Sequence, residues 1–436
     1  MIFSFKNIIK LLYDKYVLNQ DTELTETESD ARKYRDNKTE NVIAVVCNSL
    51  ATMALADSTI TITGDTDRAE LLKGLGSKLW KTKKKDTADA LGTGMVVAIP
   101  YGIKTENGYK LYADIIPKDY VFITDRRGDE ATQISVISDY REYRGNNYIR
   151  VTDYGLDGNT YVIKQRCIRN SGIYSIKAVD WWKDIPEEIR ISGVDRLPVG
   201  ILKCPTSNRR PNALNPVPIT YGCGKTLDKI TKTLNDIEKE FSKKETKIFA
   251  DPTLLDKDQK IDKDVFIKFT GEGKSGDFFE VFSPQIYQSS YYEKLNNHFA
   301  FLEKQIGCSR GILTDMQTQG ATATEIKRAM LQTFSLCDDI QSAYKEFFEG
   351  LMYGFDVLAD YYGITAKGEW KVKADFNYAL AEDPQETYNR LLQAQSIGAA
   401  SKAEIRSFNT GRDIETCEEE IKLIEEKEPK ITNGAW

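Results

Sequence analysis

Histidine is almost absent from this sequence, and the cysteines do not form metal-binding pairs. His298 is the one histidine among 436 residues, which leaves little room for histidine-based catalysis or histidine-rich metal sites. The seven cysteines include no C-x-x-C pair, so they predict neither a disulfide framework nor a zinc site. Scattered free thiols are typical of a protein that folds in a reducing cytoplasm. We therefore expect packed cysteine side chains, no metal and no cofactor.

Long apolar runs are also missing. No stretch reaches the roughly 18 uninterrupted apolar residues that span a bilayer. The N-terminal segment 1–18 is apolar but is interrupted by Lys6, Lys10, Asp14 and Lys15, which predicts an amphipathic helix rather than a signal peptide. Such a helix could lie on a membrane surface, but we favour one that faces the core or a partner protein, and we expect no membrane contact.

An excess of positive charge is missing as well. The net charge is −6, whereas a protein that grips nucleic-acid phosphates usually carries a basic face. This balance argues against tight phosphate binding but leaves loose contact with DNA open. The remaining composition, 41% apolar and 29% charged, is that of an ordinary globular protein.

Hydrophobic periodicity divides the first half of the chain into helical and strand-rich stretches. Residues 1–85 have mostly helical spacing, with a short strand at 58–63 and a basic helix that ends in the run KTKKK at 81–85. Between 93 and 200, short β-rich runs alternate with turn formers, which predicts an antiparallel meander. A linker rich in Pro and Asn follows at 204–219.

Helical spacing returns after the linker. Apolar residues recur every three or four positions at 227–241 and at 291–306. These two helices flank an insert that contains two strand-like pieces, VFIKFT and FFEVFS. We expect the first helix to end near residue 250 and the two helices to form an antiparallel hairpin.

The longest helical pattern begins after a polar loop. Residues 308–319, CSRGILTDMQTQ, have neither a helical nor a strand period, which predicts an exposed loop. Thr322 and Glu325 then form a capping box, and an apolar stripe runs over 326–358 before Gly363 ends the helix. Such a helix would be roughly 60 Å long.

The last part of the chain combines one strand with further helices. Residues 370–377 alternate between apolar and polar side chains, and because no partner lies close in sequence we expect this strand to join the meander of 93–200. The tail is helical, with a second capping box at Ser401 and Glu404.

Two short motifs invite a chemical interpretation that their neighbours do not favour. GCGKT at 222–226 resembles the end of a phosphate-binding loop, but that loop requires a glycine where this chain has Ile219. We interpret the motif as the entry to a helix with a solvated Lys225. Asp256 and Asp258 form a D-x-D pair, but the lysines interleaved with them indicate a solvated turn. No catalytic constellation remains, and we expect a protein that is not an enzyme.

The segment 306–363 resembles the portal proteins of long-tailed bacteriophages. It begins IGCSRGILTDMQTQGATATEIKRAM. These proteins carry a helix, a stretch with Gly and Ser, a polar loop, and then T-A-T-E-[IV] at the start of a long helix. The tail SKAEIRSFNTGRDIETCEEEIKLIEE at 401–426 is similar to the tail of the same family. Residues 40–305 resemble it mainly in architecture, and residues 1–40 do not.

The resemblance implies an α+β portal fold with an antiparallel β wing, a pair of stem helices and one long helix. The implied parts are the N-terminal helices and β-rich wing (1–219), the first stem helix (220–248), the clip (249–285), the second stem helix (286–307), the tunnel loop (308–322), the long wing helix and returning wing strand (323–383) and the helical crown (384–436).

The resemblance also implies a function. Portal proteins form a closed ring of about twelve copies at one capsid vertex. Double-stranded DNA passes through the ring during genome packaging and ejection, without sequence specificity. The ring docks the large terminase subunit and later the head–tail connector, and it contacts the major capsid and scaffolding proteins. The protein would thus assemble in the host cytoplasm and end in the virion.

Two sets of candidate site residues follow from the resemblance. The tunnel loop would line the DNA channel with Arg310, Thr314, Asp315, Gln317, Thr318 and Gln319. The clip would dock partner proteins through Asp256, Lys257, Asp258, Lys260, Asp262 and Lys263. Neutral and acidic loop side chains suit a channel in which DNA slides, because each Lys or Arg contact to phosphate adds attraction. The eight acidic and five Lys side chains of 249–285 suit successive docking to different partners.

Two other classes of protein remain open on the sequence. A peripheral membrane or scaffold protein would bind liposomes through residues 1–18, but this class gives no reason for the polar loop. A nucleotide-dependent enzyme would bind ATP through GCGKT and would lose that binding in Lys225→Ala.

Overall fold

Helices and largely antiparallel sheets make up the described part of the chain, so the fold class is α+β, as predicted. The computed structural model describes residues 41–106, 108–169, 172–209, 213–242, 247–250, 266–268, 279–282, 288–315, 323–376 and 384–427. The predicted N-terminal amphipathic helix lies outside these ranges.

The helices within the described ranges are α1 (Val42–Leu55), α2 (Asp67–Trp80), α3 (Lys83–Thr93), α4 (Gly224–Ser242), α5 (Gln288–Gln305), α6 (Ala323–Tyr361), α7 (Pro384–Ser396), α8 (Lys402–Thr410) and α9 (Ile414–Lys427). The strands are β1 (Ser58–Thr63), β2 (Met95–Thr105), β3 (Gly108–Pro117), β4 (Val121–Arg127), β5 (Glu130–Tyr143), β6 (Asn146–Asp157), β7 (Thr160–Arg169), β8 (Gly172–Tyr174), β9 (Glu188–Ser192), β10 (Gly200–Lys203), β11 (Lys247–Ala250), β12 (Phe266–Lys268), β13 (Phe279–Phe282) and β14 (Lys371–Phe376).

An antiparallel meander forms the largest sheet. Its strands follow one another in the order β4-β5-β6-β7-β8, and β9 also pairs with β7. The turn from β5 to β6 is the two-residue turn Arg144-Gly145, and both residues have positive φ, at 49° and 69°. Such turns match the right-handed twist of the strands that they join. The meander predicted from the alternation of β-rich runs and turn formers is confirmed for this part of the chain.

The predicted meander is wrong in one respect, because residues 93–200 do not form a single sheet. β2 lies in a separate three-stranded sheet, with β10 on one side and β3 on the other. Residues 95–100 at the start of β2 are all buried. A short 3-10 turn at Lys118–Tyr120 separates β3 from β4, so the meander starts a new sheet at that point.

The lone strand near residue 370 does not join the meander, so that prediction is wrong. β14 pairs with β1 in a two-stranded sheet. The side chain of Thr63 donates to the carbonyl of Lys371 at 3.3 Å, and Thr66 donates in the same way to Glu369. The alternating pattern identified both strands, but it carries no information on which strands pair.

Two predicted helix ends are also wrong. α2 ends at Trp80, and Lys83 begins α3, so the run KTKKK spans a helix junction instead of closing one helix. The Lys83 ammonium lies 3.8 Å from the centre of the Trp80 ring and donates to the carbonyl of Ser58 at 3.1 Å. α4 ends at Ser242 rather than near residue 250, where strand β11 lies instead.

The antiparallel helix hairpin is confirmed. Thr226 at the start of α4 donates to the side-chain oxygen of Gln305 at the end of α5, over 2.7 Å. In the segment of the chain between these helices, β11 pairs in parallel with β12 and antiparallel with β13. The two strand-like pieces predicted in the insert are therefore confirmed, and β11 adds a third strand.

The long helix predicted after the polar loop is confirmed as α6, with 39 residues. At 1.5 Å per residue it is roughly 58 Å long. Its stripe positions from 337 to 358 are buried. Gly363, with a φ of +63°, ends the helix. The amide of Ile364 donates a hydrogen bond to the carbonyl of Ala359, and the amide of Gly363 donates one to the carbonyl of Asp360. This is the hydrogen-bond pattern of a Schellman cap.

Glycines in α6 allow its backbone to approach the loop that leads into β10. A Cβ on Gly350 would lie 2.7 Å from the carbonyl oxygen of Val199, and one on Gly354 would lie 2.4 Å from that of Pro198. Heavy atoms cannot approach this closely without displacement, so both positions exclude larger residues. The close contact fixes α6 against the three-stranded sheet of β2.

A buried arginine joins α2 to the end of α6. Arg68 is fully buried, and its guanidinium forms hydrogen bonds with Asp356, Asp360 and Thr365 at 2.5–2.9 Å. All five guanidinium N–H groups have partners, which is the condition for burying this charge without a large cost.

By its internal contacts the chain divides into two compact units. One comprises Met1–Gln319 and Ala329–Asp375, and the other comprises Gly320–Arg328 and Phe376–Trp436. The second unit contains α7, α8 and α9. The capping box predicted at the start of α8 is confirmed, because Ser401 and Glu404 exchange side-chain-to-backbone hydrogen bonds.

Candidate functional site

The base of the predicted tunnel loop begins where α5 ends. Gly307 has a φ of +82°, a conformation that favours glycine. The amide of Cys308 donates to the carbonyl of Glu303 at 2.8 Å, and the amide of Gly307 donates to that of Lys304 at 3.3 Å. This Schellman cap turns the chain sharply away from the helix axis.

A buried carboxylate organises the residues after the cap. Glu303 on α5 has no solvent-exposed surface. One of its carboxylate oxygens accepts hydrogen bonds from the amides of Ile312, Leu313 and Thr314 at 2.9, 2.7 and 3.2 Å. The other accepts the hydroxyl of Thr314 at 2.7 Å. Consecutive amides that converge on one anion form a nest, and here the anion belongs to the protein itself.

Contacts with α6 fix the same segment from a second side. The amide of Ser309 donates to the hydroxyl of Thr333, a fully buried residue of α6, at 2.9 Å. Cys308 and Cys337 are both buried, and burial raises the pKa of each thiol to about 12. Residues 307–315, which we call the loop base, are therefore tied to both the hairpin helix α5 and the long helix α6.

The structure separates the predicted channel residues into three groups. Arg310 and Asp315 are exposed on the loop base. Thr314 is only 7% exposed because its hydroxyl binds Glu303, so the expectation that Thr314 offers this hydroxyl to passing DNA is wrong. Gln317, Thr318 and Gln319 lie outside the described residues.

All of the predicted clip residues lie outside the described residues. They are Asp256, Lys257, Asp258, Lys260, Asp262 and Lys263. Within the predicted clip and at its start, the structure describes strands β11, β12 and β13, which lie between α4 and α5 in the chain.

The GCGKT motif lacks the geometry of a phosphate-binding loop. α4 begins at Gly224, and the residues just before it form turns rather than a strand. Thr226, whose hydroxyl would face a metal ion in such a loop, is buried and donates to Gln305. Lys225 is exposed, in line with the interpretation of this motif as a helix entry.

Sequence reasoning missed Glu303 altogether. Leu302 belongs to the apolar stripe predicted for α5, and Glu303 follows it in the chain. An isolated acidic residue next to such a stripe usually faces solvent. Its partners are main-chain amides, which carry no side-chain signal. Only the glycines at 307 and 311, which give the loop base its positive φ values of +82° and +118°, could have indicated an unusual backbone path.

Comparison of the sequence with protein-family models and with curated proteins gives no match.

Within the described ranges, none of the helices is long and apolar enough to cross a membrane.

Proposed function

We propose that this chain is the portal subunit of a tailed bacteriophage. In this proposal it forms a ring of about twelve copies at one capsid vertex and serves as the conduit for DNA packaging and ejection. It has no enzymatic activity of its own. Its parts would be the wing, stem, clip, tunnel loop and crown that the resemblance of residues 306–363 and 401–426 implies.

One observation carries the proposal. An antiparallel helix hairpin with a small sheet between its helices leads directly into an anchored loop base, and a 39-residue helix follows. The resemblance assigns these same parts, in this order, to the stem, clip, tunnel loop and long wing helix. A globular enzyme or a peripheral membrane protein gives no reason for this sequence of parts.

The loop base suits a channel wall that DNA slides past. Glu303 and Thr333 hold it from two helices, so its position does not depend on the passing molecule. Its exposed charges are Arg310 and Asp315, one of each sign. With no net positive charge, the described part of the loop adds little attraction for phosphates.

The partners follow from the proposed ring. They are other copies of the chain, double-stranded DNA, the large terminase subunit, the head–tail connector, and the major capsid and scaffolding proteins. The strands β11–β13 would support the clip residues that dock the terminase and then the connector. In this proposal the protein resides at the portal vertex of the virion.

A charge substitution in the loop tests the proposal. Replacing Gln317, Thr318 and Gln319 together with lysine should leave the rings intact but slow DNA packaging, because each added cation grips phosphate. The defect should lessen as salt rises, since attraction to phosphate is salt-dependent. Packaged DNA is measured as the DNase-resistant fraction in assembled heads.

The matched control replaces the same three residues with serine, which keeps the loop neutral. We expect rings and packaged DNA at the level of the unsubstituted protein. Equal packaging by the lysine and serine variants would contradict the channel assignment of the loop, and loss of rings in both would make the loop a structural element.

A further inference from the structure

Aromatic side chains cluster on one face of the β5–β6 hairpin. Tyr143, Tyr148 and Trp181 form edge-to-face pairs, with ring centres 5.3 and 5.6 Å apart. Tyr143 is 44% exposed and Trp181 is 38% exposed. Beneath them lies a small core that includes the buried Trp182. Tyr143 and Trp181 therefore leave aromatic surface in contact with water beside this core.

Guanidinium groups lie over these three rings. Arg144 lies 5.0 Å from the centre of the Tyr143 ring, Arg169 lies 5.3 Å from that of Tyr148, and Arg141 lies 5.5 Å from that of Trp181. We call these six side chains the aromatic–arginine patch. A guanidinium over a ring keeps its N–H groups available at its edge, in the fork that matches a carboxylate.

An acidic side chain beside the patch, Asp139, is already engaged. Asp139 accepts hydrogen bonds from the Trp182 indole at 3.0 Å and from Arg141 at 3.1 Å. Burial alone would raise the pKa of Asp139, but these hydrogen bonds outweigh it and lower that pKa. Among the described residues, neither Arg144 nor Arg169 forms an ion pair with a carboxylate. Arg144 and Arg169 therefore present positive charge next to exposed aromatic surface, whereas Arg141 is paired with Asp139.

The backbone of Arg144 is unfavourable for its residue type. Its φ of +49° is the one positive φ of a non-glycine residue in the described ranges. The two-residue turn that it forms with Gly145 strongly prefers Asn at this position, because a Cβ lies close to the following carbonyl oxygen in this conformation and the short polar side chain of Asn offsets that cost by a local hydrogen bond. An arginine here weakens the turn while placing a guanidinium over Tyr143. Backbone strain of this kind is typical of positions where the side chain has a function.

We propose that the aromatic–arginine patch is a docking site for a carboxylate-rich segment of a partner protein. Tyr, Trp and Arg are the residues that dominate binding at protein interfaces, and the free guanidinium edges are complementary to Glu and Asp side chains. Stacked nucleic-acid bases suit the patch less well, because guanidinium groups already lie over the rings on which bases would stack. This proposal does not depend on the portal function.

The test measures binding of a fluorescein-labelled 20-residue polyglutamate peptide to the full-length protein by fluorescence anisotropy. We expect binding that weakens with salt. Arg144→Asn and Arg169→Gln should each reduce the affinity about two- to fivefold, and together about tenfold. Arg144→Asn should also raise the melting temperature by about 1 to 3 °C, since asparagine suits the turn.

Arg190→Gln is the matched control, because this exposed arginine lies on β9 and pairs with Glu188 and Asp157. It should leave the affinity unchanged. The proposal is overturned if the peptide does not bind, if Arg190→Gln reduces binding as much as the patch variants, or if a labelled oligo-dT of 20 nucleotides binds more tightly than the peptide. A more stable Arg144→Asn variant with unchanged affinity would also overturn it.

Discussion

The buried Glu303 carboxylate offers the sharpest test of how the loop base is held. Replacing it with alanine removes the acceptor of three amides and one hydroxyl. A buried donor left without a partner costs about 1 to 3 kcal/mol. Part of the loop base is exposed, so water can reach some of these four donors. We therefore expect each donor to cost an amount near the lower limit, which gives a total loss of unfolding free energy of about 3 to 5 kcal/mol.

Hydrogen exchange measured by mass spectrometry reads this loss directly. In Glu303→Ala, the amides of Ile312, Leu313 and Thr314 should exchange about a hundredfold to several thousandfold faster, the factor that corresponds to this free energy. Glu303→Gln keeps one oxygen as an acceptor, so it should cost only about 1 to 2 kcal/mol and retain most of the protection. The melting temperature should fall in the same order.

Glu293→Ala is the control on the same helix, because Glu293 is exposed and its loss should change stability by less than about 0.5 kcal/mol. Equal protection and equal melting temperatures for Glu303→Ala and Glu293→Ala would mean that the carboxylate does not hold the loop base.

Two further predictions concern packing. Gly354→Ala should destabilise the protein by about 1 to 3 kcal/mol, because the new Cβ would lie 2.4 Å from the carbonyl oxygen of Pro198. In Gly74→Ala, on α2, the new Cβ meets no atom within 4 Å, so this variant should stabilise the protein by about 0.5 to 1 kcal/mol. Thermal melts measure both changes. All seven cysteines are buried, and burial raises the pKa of Cys308 and Cys337 to about 12. At pH 8 a thiol reagent should therefore label the folded protein at fewer than one site and the denatured protein at all seven.

Equal melting temperatures for the Gly354 and Gly74 variants would mean that α6 does not approach the loop before β10 as closely as described. Rapid labelling of several thiols in the folded protein would mean that the thiols are accessible or ionised.

Local sequence patterns predicted most of the helices and strands, because the spacing of apolar residues follows from which side chains are buried. The stripe of α6 is an example, since every third or fourth residue from 337 to 358 is apolar and those positions are buried. The strands of the meander are another, because turn formers at 145–147 and 157–159 separate their β-rich runs. The glycine cap at 363 and the capping box at 401 and 404 are equally local signals.

Pairing over long distances could not be predicted in the same way. β1 and β14 both have alternating patterns, but more than 300 residues separate Thr63 from Lys371, and alternation does not specify a partner strand. The end of α4 was misplaced because KIFA at 247–250 continues the apolar spacing of the helix, although it forms β11. Thr314 was assigned to the channel through the resemblance of its loop to portal proteins, which carries no information on its burial against Glu303.

The most direct test of the proposed function locates the loop within the assembled particle. Because the native thiols are buried, a gold-maleimide label can be directed to Asp315→Cys, with Asp157→Cys as the control, since the Asp157 side chain is 73% exposed in the meander. Electron microscopy of the purified protein should show rings of about twelve subunits, with gold at the inner wall for Asp315→Cys and towards the rim for Asp157→Cys. Particles without a central hole, or gold at the rim for Asp315→Cys, would contradict the portal assignment.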